Sequence, residues 1–215
     1  KKGISSCQLA RDIDVTQKTA WHMLHRIREC FFCENNHQLE GDVELDETFV
    51  GGRNHNRHAN KKVPKCQGRS FKDKTPVLGM LERGGKVVCR VVSTTSSKQL
   101  TPQKLNPVKR SATLFTDEWG GYDTVGKIYT QYIVDHGKKQ YVNGHATTNS
   151  IEGFWSILKR GIIGIYHKTS RKHLHRYVNE FVFRYNTRKV SDNVRFNLLL
   201  CNTEYRITYK QLTNG

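Results

Sequence analysis

The sequence predicts an α/β protein: a mixed sheet flanked by helices, preceded by a small all-α segment. Three observations carry that expectation. Two short helical patterns with a tight turn between them come first, strand-like apolar runs fill the middle, and helical apolar repeats close the chain.

In the opening segment, Ser6 is the expected cap of a first helix, and Asp14 supplies a left-handed turn position. Thr16 then caps a second helix, where Ala20, Leu24, Ile27 and Phe31 recur at helical spacing with Met23 beside them as a buried stripe. The opposite face carries Gln17, Lys18, His22, His25 and Arg26. That is the pattern of a helix-turn-helix, whose second helix offers amide and cationic side chains to base edges and phosphates. Gln17, Lys18, His22 and Arg26 are the expected contacts, and an ordinary helical hairpin with a solvated face reads the same way. Cys30 and Cys33 form a single CxxC without a second pair to complete a zinc site, so they read as plain thiols.

A polar stretch ending in Gly41 marks a boundary, placing a DNA-binding region at 1–36, a second domain at 37–202 and a patternless, loosely held tail at 203–215. Strands are expected at 43–50, 76–81, 86–92, 112–116 and 132–134, the second and third forming a hairpin across Gly84-Gly85. Helices are expected from Asn149 to about Gly161 and from His173 to Asn186, the latter with Tyr177, Phe181 and Tyr185 as its core stripe.

Composition narrows the function. The chain has 215 residues, with 36 lysines and arginines against 19 acids and a net charge of +17, which points to a polyanionic partner, double-stranded DNA first. Six cysteines without scaffold spacing fit an intracellular, reducing setting: cytoplasm or nucleoid in a bacterium, nucleus in a eukaryote. No apolar run approaches the roughly 20 residues of a membrane helix. The start at Lys1-Lys2, without methionine, reads as part of something longer.

Three segments present a carboxylate among apolar neighbours: Asp46 within Glu44-Leu45-Asp46-Glu47, Asp117 within Thr116-Asp117-Glu118-Trp119, and Glu152 within Asn149-Ser150-Ile151-Glu152. Each acid alone reads as a solvated charge; together they suggest oxygen ligands for hard divalent ions, a pair of which can stabilise attacking and leaving oxygens in phosphodiester displacement. On the expected helix Glu152 shares a face with Lys159, while Ile151, Trp155, Leu158 and Ile162 form the buried stripe. Lys159 and Arg160 would meet a DNA backbone. Further basic contacts are expected from Arg53, Arg57, Lys61 and Lys62 in the loop 53–74, which holds eight lysines and arginines against one acid, and from Arg171 and Lys172. A flexible solvated insertion is the other reading of that loop. Trp119 and Tyr122 read either as core residues or as stacking platforms for an unpaired base.

The stretches 44–52, 116–119 and 149–161 closely resemble the DDE-type insertion-sequence transposases of the Merlin-related group. The resemblance extends through 74–80, 82–86 and 170–174 to Tyr185-Asn186-Thr187-Arg188, and with the helix-turn-helix covers about residues 3–190. It implies a ribonuclease-H-like fold with Asp46 on the first strand, Asp117 on the fourth, and a pair of Mg²⁺ or Mn²⁺ ions. Thirty-four residues separate Asp117 from Glu152, a gap typical of such triads. Some branches use asparagine as the third member, which Asn149 would supply here; Glu152 is preferred because an anionic oxygen binds Mg²⁺ better. The catalytic set is therefore Asp46, Asp117 and Glu152 with Asn149 and Lys159. The implied activity is metal-dependent cleavage at transposon ends and 3′-hydroxyl strand transfer into target DNA, by a homodimer or higher oligomer. A catalytically silent DNA-binding regulator and a structure-specific nuclease remain as alternatives. The group commonly carries a zinc ribbon ahead of the helix-turn-helix; this sequence contains none.

Overall fold

A computed structural model describes residues 3–52, 58–64, 70, 72–94, 105–117, 122, 125–134 and 147–214. They form two compact units, one made of 37–156 and the other of 1–36 together with 157–215. The residues beyond Ser156 thus pack with the N-terminal helices.

The sheet unit holds β1 (Asp42–Val50), β2 (Thr75–Glu82), β3 (Val87–Val91), β4 (Thr113–Asp117) and β5 (Thr130–Val134) in the order β3-β2-β1-β4-β5. β1 pairs antiparallel with β2 and β2 with β3, whereas β1 with β4 and β4 with β5 are parallel. This mixed order, with helix flanking it, is the expected ribonuclease-H-like sheet. The turn between β2 and β3 works because Gly84 takes a φ of +71°, a conformation that costs glycine nothing.

Strand alternation divides β1 between two faces. Val43 and Leu45 enter a core with Leu78, Met80, Val88 and Leu114. Glu44 and Asp46 point the other way and meet α3 (Asn149–Gly161). Helix α3 buries Ile151, Phe154, Trp155 and Leu158 at i, i+3, i+4 and i+7, each contributing about 1.5–3 kcal/mol of apolar burial. Ile162 continues the stripe into a π-helical turn, Ile162–Tyr166.

In the other unit, α1 (Ser6–Asp12) and α2 (Gln17–Glu29) flank a turn in which Asp14 adopts φ +52°. Thr16 caps α2 through Thr19 N, but the cap of α1 is Ser5, one residue before the expected Ser6. The buried stripe of α2 also differs from expectation. Ala20 and Leu24 are buried and Phe31 follows them in, while Met23 and Ile27 are exposed and His25 and Arg28 take the interior.

Arg28 goes inside because α4 (Leu174–Asn186) brings it a partner: Arg28 Nε donates to Glu180 Oε2 at 2.9 Å. Glu180 also accepts from Tyr166 Oη and Arg184, and the Arg28 guanidinium lies 4.1 Å from the Tyr177 ring centroid. Tyr177 and Phe181 are buried as expected, and Tyr185 is half-buried. Helix α5 (Asp192–Leu200), absent from the sequence expectation, is capped by Ser191 and buries none of its residues. The segment expected to be patternless instead forms α6 (Tyr209–Asn214), anchored by fully buried Leu212.

Candidate active site

The sheet places the first two acids. β1 and β4 pair Asp42 with Thr113 and Glu44 with Phe115; the same offset two residues on sets Asp46 level with Asp117 on the neighbouring parallel strand. Asp46 lies midway along β1 on the face that α3 meets, and Asp117 is the last residue of β4.

Two hydrogen bonds tie α3 to β1. Ile151 N donates to Glu44 Oε2 at 2.9 Å, which satisfies one of the orphan amides of the first helical turn. Four residues on, Trp155 Nε1 donates to Asp46 Oδ2, also at 2.9 Å. The indole fits because its neighbour on β2 is Gly79, the register partner of Asp46: a Cβ there would stand 2.5 Å from the Trp155 ring and 2.9 Å from Ile151 Cδ1. Glu44 is itself fully buried and is paired by Arg83 Nε at 3.0 Å. Arg83 completes the anchor by donating to Thr147 O at 2.7 Å while its guanidinium rests 3.8 Å from the Phe115 ring centroid.

The second oxygen of Asp46, Oδ1, accepts from Glu47 N at 2.8 Å. A carboxylate has about four acceptor sites, so each oxygen keeps capacity for another partner. Burial pushes the Asp46 carboxyl up to about 6, partly offset by its two hydrogen bonds, and the charges of Asp117 and Glu152 push in the same direction as burial. Asp46 thus feels the charge of each of the other two acids. The three do not yet form a closed ligand set: among the described residues no three His, Cys, Asp or Glu side chains meet closely enough to hold an ion.

Glu152 sits exposed in the first turn of α3, with Thr148 Oγ1 at 3.5 Å from its Oε1, and Asn149 is exposed one turn earlier. Lys159 and Arg160 are exposed in the last turn. Lys61 and Lys62 are exposed at a one-turn 3₁₀ helix, Ala59–Lys61, as are Arg171 and Lys172, whose Nζ reaches Thr213 O at 2.8 Å. Arg53, Arg57 and Trp119 lie outside the described residues. Tyr122 is not a stacking platform: it is 1% exposed in the sheet core, and its hydroxyl donates to Glu47 Oε2.

On α2, Gln17 and Arg26 are exposed, and Gln17 Nε2 donates to Ser6 Oγ at 2.8 Å. His22 is half-buried, with Nε2 3.4 Å from Ile207 O and its ring 5.5 Å from that of Tyr209. Lys18 Nζ lies 4.8 Å from the same tyrosine ring. The C-terminal segment thus occupies part of the face expected to read DNA, which sequence reasoning missed because no apolar periodicity announces it. Cys30 is buried and Cys33 half-buried, both as free thiols.

A five-stranded mixed sheet in the order β3-β2-β1-β4-β5, flanked by helix, is the α/β architecture expected of a ribonuclease-H-like domain. Residues 38–186 match the model of the ISXO2-like transposase domain, and the chain belongs to that family. An uncharacterized protein in transposable element ISH50 of Halobacterium salinarum is 27% identical over 186 residues, which cover 82% of this chain and 63% of that protein. Among solved structures, the Mos1 strand transfer complex is similar over 94% of this chain and 71% of its own, at 12% identity and a TM-score of 0.35. The Mos1 mariner paired end complex with Mn gives the same identity and TM-score, with 72% of its chain covered. No helix among the described residues is long and apolar enough to cross a membrane.

Proposed function

We propose that this transposase-family chain cuts DNA at transposon ends and joins the freed 3′-hydroxyl to target DNA, using divalent cations held by Asp46, Asp117 and Glu152. The observation that carries the reading is the tie between β1 and α3, where Ile151 and Trp155 reach back to Glu44 and Asp46. It brings the helix bearing Glu152 onto the strand bearing Asp46, beside the strand bearing Asp117. The donor set is all oxygen, which suits Mg²⁺ or Mn²⁺. Burial chiefly, with the charges of Asp117 and Glu152 adding to it, raises the Asp46 carboxyl, and a cation at that position would favour its ionised form.

Divalent ions held there would supply charge stabilisation for the phosphodiester and activation of an attacking water. The chain's own residues do the rest. Trp155 and the Glu47 amide fix the Asp46 carboxylate through one hydrogen bond to each oxygen. Glu152, on its exposed turn, supplies the third carboxylate in preference to Asn149, whose neutral amide is the weaker donor. Lys159 and Arg160, with Lys61, Lys62, Arg53, Arg57, Arg171 and Lys172, are assigned to the phosphate backbone. Gln17, Lys18 and Arg26 are assigned to duplex recognition by α2, a helix-turn-helix role in which His22 helps to seat the C-terminal segment. Joining two element ends calls for at least a dimer.

The test is strand cleavage on duplexes carrying element ends, with Mg²⁺ or Mn²⁺. Asp46→Asn is expected to lower cleavage by about a hundredfold or more, since metal-held charge stabilisation is worth several kcal/mol. Undiminished cleavage by that variant sinks the site. Products from pre-cut 3′-hydroxyl ends separate strand transfer from simple hydrolysis, and a wild-type chain that binds DNA but never cuts it is a silent regulator.

A further inference from the structure

Where α4 passes into α5 there is a concavity of about 380 Å³ lined by Arg184, Arg188, Val190, Ser191, Asp192 and Arg195. Three arginines and one aspartate line it, so its wall is predominantly cationic. These guanidiniums are not loose surface charges. Arg195 donates to Thr187 O at 2.7 Å, to Thr187 Oγ1 at 3.0 Å and to Asp192 Oδ1 at 2.7 Å. Arg184 is held by Glu180 at 3.0 Å, and Arg188 by Tyr185 O at 2.9 Å with its guanidinium 4.0 Å from the Tyr185 ring centroid. Each thus has at least one fixed partner.

A guanidinium carries five N–H donors in a fixed plane, so Arg195 keeps two beyond its three contacts. Pinned donors lose little side-chain entropy when an anion arrives. Ser191 and Asp192 are also pocket residues, which opens the N-terminal end of α5, the positive end of its dipole, on the same space. Ser191 Oγ already accepts from Val194 N at 3.4 Å and so caps the helix. Planar, multiply donating cations around a concave space match phosphate oxygens better than the single carboxylates of an acidic peptide.

We propose that this arginine pocket is a backbone anchor for duplex DNA, seating a phosphodiester group against Arg184, Arg188 and Arg195. It rests on the DNA-handling reading above but involves none of the residues assigned there. Its role is to hold the duplex without reading sequence.

The test measures binding of a short random-sequence duplex by fluorescence anisotropy from low to moderate salt. Removing the cation that neutralises one phosphate reduces the slope of log K against log [salt] by about 0.9. Arg188→Gln, at an exposed position, is expected to reduce the slope measurably, by up to about that amount, and Arg184→Gln with Arg188→Gln to approach but not exceed the loss of one phosphate contact. Lys127→Gln, an exposed charge outside the pocket, is expected to leave it unchanged. Melting curves confirm that each variant folds; since Arg188 is the most exposed of the three, its single variant keeps the test valid should the double variant unfold.

An unchanged slope in Arg188→Gln overturns the anchor while leaving the transposase reading intact. Equal reductions in Arg188→Gln and Lys127→Gln overturn it too, because overall charge then explains the binding. Calorimetry with inorganic phosphate forms the second arm: phosphate binding that needs Arg188, with no change in the DNA slope, makes the pocket a free-anion site and overturns the DNA assignment. A wild-type chain that binds no duplex at all overturns both readings together.

Discussion

His25 is fully buried with no hydrogen bond on either ring nitrogen, enclosed by the rings of Trp21, His173 and Tyr177 at centroid distances of 4.5, 4.9 and 5.5 Å. Burial lowers its pKa from 6.5 to about 3, aided by Arg28 on its own helix and by His173, Arg176 and His175 facing it. The folded state therefore takes up this proton less readily than the unfolded chain. The stability it contributes is complete above pH 6.5 and is lost as pH falls toward about 3. Urea melts between pH 7.5 and 5 should show a loss of up to about 1.4 kcal/mol per pH unit from this group, with His173, lowered to about 4, adding to it. His25→Phe should flatten that dependence; parallel curves for variant and wild type would remove His25 as the cause. Helical spacing alone puts His25 on the polar face of α2, because an imidazole gives no sign of whether aromatic rings from a distant segment will enclose it.

At the scale of elements, the contact between β1 and α3 fixes where the helix bearing Glu152 lies against the strand bearing Asp46. Periodicity identifies α3 and its buried stripe, and alternation identifies β1, but neither predicts that Glu44 receives the helix amide or that Trp155 reaches Asp46. Gly79 is the hidden condition for both. Gly79→Ala must displace the indole or open the contact, and overpacking of this kind costs about 1–3 kcal/mol. The expected result is a lowered melting temperature together with a smaller rise in melting temperature on adding Mn²⁺, since Asp46 loses its fixed orientation. A variant that is less stable but gains as much from Mn²⁺ as the wild type would show that the indole does not position the carboxylate.

For the molecule as a whole, the net charge of +17 is the dominant long-range property. If the chain acts on DNA as proposed, that charge should make sequence-independent binding strong at low salt and steeply weaker as salt rises. If about six to ten phosphates are contacted, affinity for a random duplex should fall by roughly 10³–10⁵ between about 50 and 200 mM salt. A nearly flat dependence in electrophoretic or anisotropy assays would mean that most of the basic surface is not used on DNA. The described residues also form two units whose boundaries do not follow the order of elements in the sequence, since 157–215 joins the first 36 residues. Local patterns cannot reveal that, because they report which face of an element is apolar and not which other element covers it.

The five strands, the main helices and the turn at Asp14 follow from patterns that act within a few residues: alternation, helical spacing, caps and turn preferences. The placing of Asp46 and Asp117 on strands of one sheet is expected only from the family resemblance, and the parallel pairing of β1 with β4 is a tertiary fact. The burial of Arg28 and His25, the seating of Tyr209 against His22 and Lys18, the core position of Tyr122, and the arginine pocket between α4 and α5 were decided only in three dimensions. Each depends on desolvation and pairing between side chains far apart in the chain. That energy is set by what meets the group, which no short stretch of sequence contains.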